Sequence, residues 1–150
     1  MIRDDIKAAV IAAMKQGDKD RLGTLRLAQA AITNRDIELR TAAAQPDDDA
    51  MVTEVLQKMI KQRRESADLY RQGGREDRAG TEEAEIAVIA EFLPAQLSDE
   101  EARSKIEAII AAAGASSMKD MGRVMAAVKA ELGSAIEPAR ASALVKGLLG

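Results

Sequence analysis

Phe92-Leu93-Pro94-Ala95-Gln96-Leu97-Ser98-Asp99-Glu100-Glu101 divides the chain into two helical regimes. Proline has no backbone N–H, and its ring clashes with the carbonyl four residues earlier. A helix arriving through Phe92 therefore stops at Pro94 or hands over to a linker there. Four residues on, Ser98 with Glu101 three positions later matches a capping box, in which the serine hydroxyl accepts from the backbone N–H of the third helical residue. A new helix is thus expected to start at Asp99. Helical patterns before the proline are long and those after it are short. This predicts an all-α protein in two modules, residues 1–94 with about four helices and residues 95–150 with three.

Upstream of the boundary, Ile2, Ile6, Ala9, Val10, Ala13 and Met14 recur every three to four residues and predict one apolar helix face, with Gly17 as its stop. Asp18 is a cap for a second helix carrying Leu22, Leu25, Ala28, Ile32 and Leu39. The pattern fades at Thr41, and Gln45-Pro46-Asp47-Asp48-Asp49 reads as a loop ending in helix-capping carboxylates. A long third helix begins with Met51, Val52, Val55, Leu56, Met59 and Ile60 and runs to Gly73-Gly74. A fourth, from Glu76 to Phe92, is acidic first and apolar later, burying Ile86, Val88, Ile89, Phe92 and Leu93.

Downstream, Ile106, Ile109 and Ile110 form the fifth helix face and Gly114 ends it. Ser117 is expected to cap a sixth helix through Met121, Val124, Met125, Val128 and Leu132. Pro138 suits the first turn of a seventh, which carries Leu144, Val145, Leu148 and Leu149. No run of alternating β-branched residues predicts a strand.

Composition narrows the chemistry. Of the 150 residues 47% are hydrophobic, yet the only aromatics are Tyr70 and Phe92, so packing relies on aliphatic side chains. The seven methionines read as core filler. There is no Cys and no His. A thiol nucleophile, a thiolate metal site and the most readily available neutral-pH base are all excluded. The first residues lack the basic head and apolar run of a signal peptide, and no uncharged stretch reaches the roughly 18 residues of a membrane span. A cytoplasmic protein without a membrane partner is expected. Net charge is −3; through Pro94 there are 15 Lys/Arg against 18 Asp/Glu and after it 7 against 7, so neither half is a general polyanion binder.

Several motifs nevertheless carry chemical possibilities. Asp47-Asp48-Asp49 lacks the spaced oxygens and glycine of a Ca²⁺ loop, and helix capping is the better account. Ser116-Ser117-Met118-Lys119 has the residue types of a serine–lysine hydrolase, but they are consecutive at a helix start without an oxyanion loop. N-capping again suffices. No catalytic residue, metal ligand or cofactor is predicted. Lys58, Lys61, Arg63 and Arg64, with Arg71 and Arg75 beyond, make the third helix the most basic feature; either a solvated face paired with Glu54, Glu65 and Asp68 or a phosphate-contacting patch fits them. Gly122 sits in the predicted sixth helix at about 1 kcal/mol relative to Ala. Close approach of a neighbouring helix or of a partner's backbone, such as RNA, would account for it.

Four groups of residues together resemble the GatB/YqeY family, specifically its free-standing YqeY-like members. They are Arg21-Leu22-Gly23-Thr24-Leu25-Arg26-Leu27 with Ala31-Ile32-Thr33-Asn34-Arg35; Gln57-Lys58-Met59-Ile60-Lys61-Gln62-Arg63-Arg64-Glu65-Ser66; Ala84-Glu85-Ile86 with Phe92-Leu93-Pro94-Ala95-Gln96-Leu97-Ser98; and Lys119-Asp120-Met121-Gly122-Arg123-Val124-Met125. The resemblance implies a helical amino-terminal domain over 1–94 and, over 95–150, a three-helix tail like that of the tRNA-dependent amidotransferase B subunit.

In that enzyme the tail is a tRNA-binding appendage, and the chemistry lies in other domains and subunits. The resemblance therefore implies a noncatalytic accessory protein whose partner is tRNA, an aminoacyl-tRNA-handling enzyme or an amidotransferase subunit. It puts RNA contact at Lys119, Gly122 and Arg123, with Lys129 and Lys146 as additions. Where the family commonly has a basic residue after glycine before the last helix, this chain has Ser134 after Gly133, which removes one expected phosphate contact. Two alternatives accompany this reading: a component of a glutamine-dependent carbon–nitrogen ligase acting on Glu-tRNA or Asp-tRNA, and a helical protein-interaction module.

Overall fold

The computed structural model describes the backbone of residues 1–150 and every side chain except that of Ser134. Seven α-helices and two short 3₁₀ turns make up the regular structure, with no strand among the described residues. The chain separates into two compact units, Met1–Leu93 and Pro94–Gly150.

The first unit holds α1 (Ile2–Gln16), α2 (Lys19–Leu39), α3 (Asp48–Gln72) and α4 (Glu76–Ala90). Gly17 closes α1 in the left-handed conformation at φ 70°, which glycine adopts without a Cβ clash. Immediately afterwards the Asp18 carboxylate caps α2 by accepting from the Arg21 N–H at 3.1 Å, so α1 and α2 form a hairpin. Ile6, Ile32, Val52, Leu56, Ile60 and Ile89 bring all four helices into one core. Full burial of such side chains stabilises by roughly 1.5–3 kcal/mol each. Met14, expected on the apolar face of α1, is 55% exposed; the buried stripe follows Ile6 and Ala13 and leaves Met14 on its flank.

The aspartate triplet does three separate jobs. Asp47 caps α3 by accepting from the Ala50 N–H at 3.1 Å. Asp48 accepts from Arg3, and Asp49 accepts from the Ile2 backbone N–H at 2.9 Å. The start of α1 is thereby fastened to the start of α3. The fourth helix ends at Ala90, short of the expected Phe92. The Phe92 and Leu93 N–H groups donate to Ile89 and Ala90 three residues back, which tightens the final turn. Helical bonding has therefore ended before Pro94 is reached. Phe92 and Leu93 still pack on the core from this turn.

The second unit holds α5 (Asp99–Ala113), α6 (Met121–Leu132) and α7 (Pro138–Leu149). The Ser98 hydroxyl accepts from the Glu101 N–H at 3.1 Å, Gly114 closes α5 at φ 66°, and Pro138 occupies the first turn of α7. Ile106, Ile109, Val124, Val128, Ile136 and Val145 form a separate core. Leu97 donates its backbone N–H to the Ala135 carbonyl at 2.9 Å, and Arg140 reaches back to Asp99 and to the Leu97 carbonyl. These bonds bring the start of α5, the end of α6 and the start of α7 to one end of the bundle.

Candidate functional site at the start of the sixth helix

One expectation for this region is corrected by the local geometry. Ser117 does not cap α6: Met118–Asp120 form a 3₁₀ turn, the Ser117 side chain makes no capping bond, and α6 begins at Met121. The Asp120 carboxylate organises the turn instead. It accepts from the Ser116 backbone N–H at 3.1 Å and from Arg123 Nη2 at 3.0 Å. The Ser116 N–H, followed by the Arg123 guanidinium, holds the Asp120 carboxyl below its ordinary value, because both donors favour the ionised form. In a normal cap the serine hydroxyl accepts from the backbone N–H two or three residues on; here the Asp120 carboxylate organises the turn instead.

Gly122 is the second residue of α6, not an interior one. A Cβ built on it meets nothing within 4 Å, so close packing by a neighbouring helix does not explain this glycine. Seven residues on, Lys129 returns to the Gly122 face of α6, because two turns of an α-helix take about seven residues. Both are exposed, as is Ala126 between them.

The five tail residues singled out above are differently placed. Lys119 is exposed in the 3₁₀ turn, and no hydrogen bond or ion pair involves it among the described residues. Arg123 is committed internally: besides Asp120, it donates from Nη1 to the Ala113 carbonyl at 2.9 Å, tying the end of α5 to the start of α6. Lys146 lies in the last turn of α7, which begins beside the start of α5 and packs on α5 and α6, so it runs toward the end where α6 begins. Lys129 lies toward the opposite end, in the last turn of α6. The structure thus groups Lys119, Gly122 and Arg123, directs Lys146 toward them, and leaves Lys129 apart on the Gly122 face. The Ser134 side chain, whose loop was expected to lose a phosphate contact, lies outside the described residues.

In the first unit the basic stretch of α3 divides. Arg63 turns inward, with only 14% of its side chain exposed, and donates from Nε to Glu85 of α4 at 2.9 Å. Lys58 and Lys61 face solvent without a partner among the described residues, and Arg64 is exposed. Arg21 is likewise structural: its Nη2 lies 2.8 Å from Glu91 at the end of α4. Two arginines from the motifs quoted above therefore fasten α4, one from α2 and one from α3.

Sequence reasoning missed Arg3 and Arg140, whose partners lie more than 30 residues away and leave no local spacing to read. It also missed a groove between α2 and α3 of about 400 Å³. The signal was present in the outward faces of the two helices, where Ala31, Asn34 and Glu38 recur at helical spacing opposite Glu54, Lys58 and Gln62. Among the described residues no group of three or more acidic side chains is arranged to hold a metal ion, and no helix is long and apolar enough to cross a membrane.

Comparison with known proteins places the chain in a family. The family model described as Yqey-like protein matches residues 3–149. No curated protein matches the chain.

Proposed function

The chain belongs to the YqeY-like protein family, and from that premise we infer that it is a noncatalytic accessory protein that binds tRNA, or an enzyme that handles tRNA, through residues 95–150. The observation that carries this reading is the start of α6. There the unpartnered Lys119 precedes a glycine with open space where a side chain would stand. Helix N-termini direct free N–H groups and a partial positive charge at anions, and an exposed glycine lets a phosphate backbone approach them closely. Here the 3₁₀ turn takes up the Asp120 and Met121 N–H groups, so the full charge that would meet a phosphate is that of Lys119. Arg123 keeps α5 and α6 in register, so its part in binding is to position the turn. Lys129 extends the Gly122 face by two turns, and Lys146 adds charge toward the same end as Lys119.

The electrostatics make the binding dependent on few contacts. The tail carries as many acids as bases, so attraction comes from the local arrangement and not from net charge. With one to three phosphates neutralised, the logarithm of affinity falls with the logarithm of salt at about 0.9 per phosphate on a duplex. Electrophoretic mobility shift with total tRNA at low and moderate salt tests the proposal. A shift at micromolar protein that weakens with salt is expected; no shift even at low salt overturns the RNA reading.

A further inference from the structure

The turn that carries Lys119 is closed twice by one residue. The Asp120 backbone N–H donates to the Ser117 carbonyl at 3.0 Å, and Oδ2 of the Asp120 carboxylate accepts from the Ser116 N–H at 3.1 Å. Lys119 lies inside both closures. Its backbone is therefore held while its side chain stays exposed, without a partner among the described residues.

By charge alone, a carboxylate next in sequence to a phosphate-contacting lysine is a liability, because it repels the same phosphate. The fold offsets that repulsion. Oδ1 of Asp120 accepts from Arg123 Nη2 at 3.0 Å, which sets a positive charge against it. Arg123 is anchored in turn through Nη1 on the Ala113 carbonyl at 2.9 Å, so the counter-charge stays in place. What the carboxylate then contributes is its hold on the Ser116 N–H. A turn ordered before binding spares the ordering that a loose one must undergo at the interface. A carboxylate that merely occupied the place of a phosphate would have the opposite effect on affinity.

We propose that Asp120 is a positioning residue for the RNA contact at Lys119, its carboxylate holding the Ser116–Asp120 turn in the form that presents the lysine; this rests on the RNA reading above. Mobility shifts of the full chain with total tRNA across a range of salt test it. Asp120→Ala removes a negative charge, yet should weaken binding by about two- to tenfold. The salt slope should not change, because Lys119 is still present to displace its counterion. Asp120→Asn keeps an oxygen for the Ser116 N–H and should retain the parent's affinity or exceed it. Hydrogen exchange at the Ser116 amide should quicken in the alanine variant and not in the asparagine variant. In a Lys119→Ala background, Asp120→Ala should bring no further loss. An equal loss in both backgrounds means that the change loosens the whole tail, and overturns the proposal. So does an alanine variant that binds as tightly as the parent or more tightly, or an asparagine variant as weak as the alanine one. A parent chain that shifts no tRNA even at low salt overturns the RNA reading, and the positioning role with it.

Discussion

Arg3 touches two helices besides its own. Its Nη1 and Nη2 donate to Asp36 of α2 at 2.8 and 2.9 Å, and Nη2 and Nε donate to Asp48 of α3 at 2.7 and 3.3 Å. The guanidinium holds the Asp36 carboxyl below its ordinary value. The folded carboxyl thus titrates below the unfolded one, so its stabilisation is complete above the unfolded value of about 4 and is lost as pH falls through the folded value. Arg3 and Asp36 are both more than a third exposed, and solvent screening keeps the contribution to about 1 kcal/mol. Arg3→Gln should lower the thermal midpoint at pH 7, and the gap to the parent protein should close as pH falls below about 4. A gap that persists unchanged in acid would mean that packing, not the ion pair, supplies the stability. Lys119 and Arg123, four residues apart, predict opposite outcomes. Lys119→Ala should leave the melting curve unchanged, weaken tRNA binding and reduce the salt slope by about 1. Arg123→Ala should lower stability, because it frees the end of α5 and removes a donor from Asp120.

At the scale of elements, termini decide more than propensities do. Ser98→Ala removes the hydroxyl that accepts from Glu101 and should cost about 1 kcal/mol, read by thermal or urea unfolding. Gly122→Ala separates stability from function. The position is in the first turn of α6 with open space around it, so alanine should stabilise α6 by less than the about 1 kcal/mol of a helix interior. If a phosphate backbone approaches there, the same methyl group should weaken tRNA binding; unchanged binding in a stabilised variant would remove Gly122 from the contact surface. Most helix starts and stops were legible because they depend on a few adjacent residues: Gly17, Asp18, Ser98, Gly114 and Pro138 all act within one turn. The start of α6 was not, because a 3₁₀ turn intervenes between Ser117 and the helix. Only the fold of the turn shows that Asp120 organises it, accepting from the Ser116 N–H and from Arg123.

At the scale of the whole molecule, two separate cores have a measurable consequence. Leu56 and Ile106 are both fully buried, one in each core, and truncating either to alanine should cost about 2–5 kcal/mol. Hydrogen exchange should accelerate throughout Met1–Leu93 in Leu56→Ala and throughout Pro94–Gly150 in Ile106→Ala. Acceleration spread evenly over both units in either variant would show that they unfold as one.

The all-helical class was determined by sequence, because apolar periodicity and capping chemistry are properties of neighbours along the chain. The absence of Cys and His was equally plain there, and with it the loss of thiol and imidazole chemistry. Tertiary structure decided which charges remain available for a partner. Lys58, Lys61, Arg63 and Arg64 look equivalent in a row of letters, yet folding turns Arg63 onto Glu85 and leaves the two lysines in solvent. Arg123 and Lys119 divide in the same way at the start of α6. An ion pair depends on what the fold brings within about 4 Å, and for Arg3, Arg21, Arg63 and Arg140 that partner is supplied by a different helix or its flanking turn.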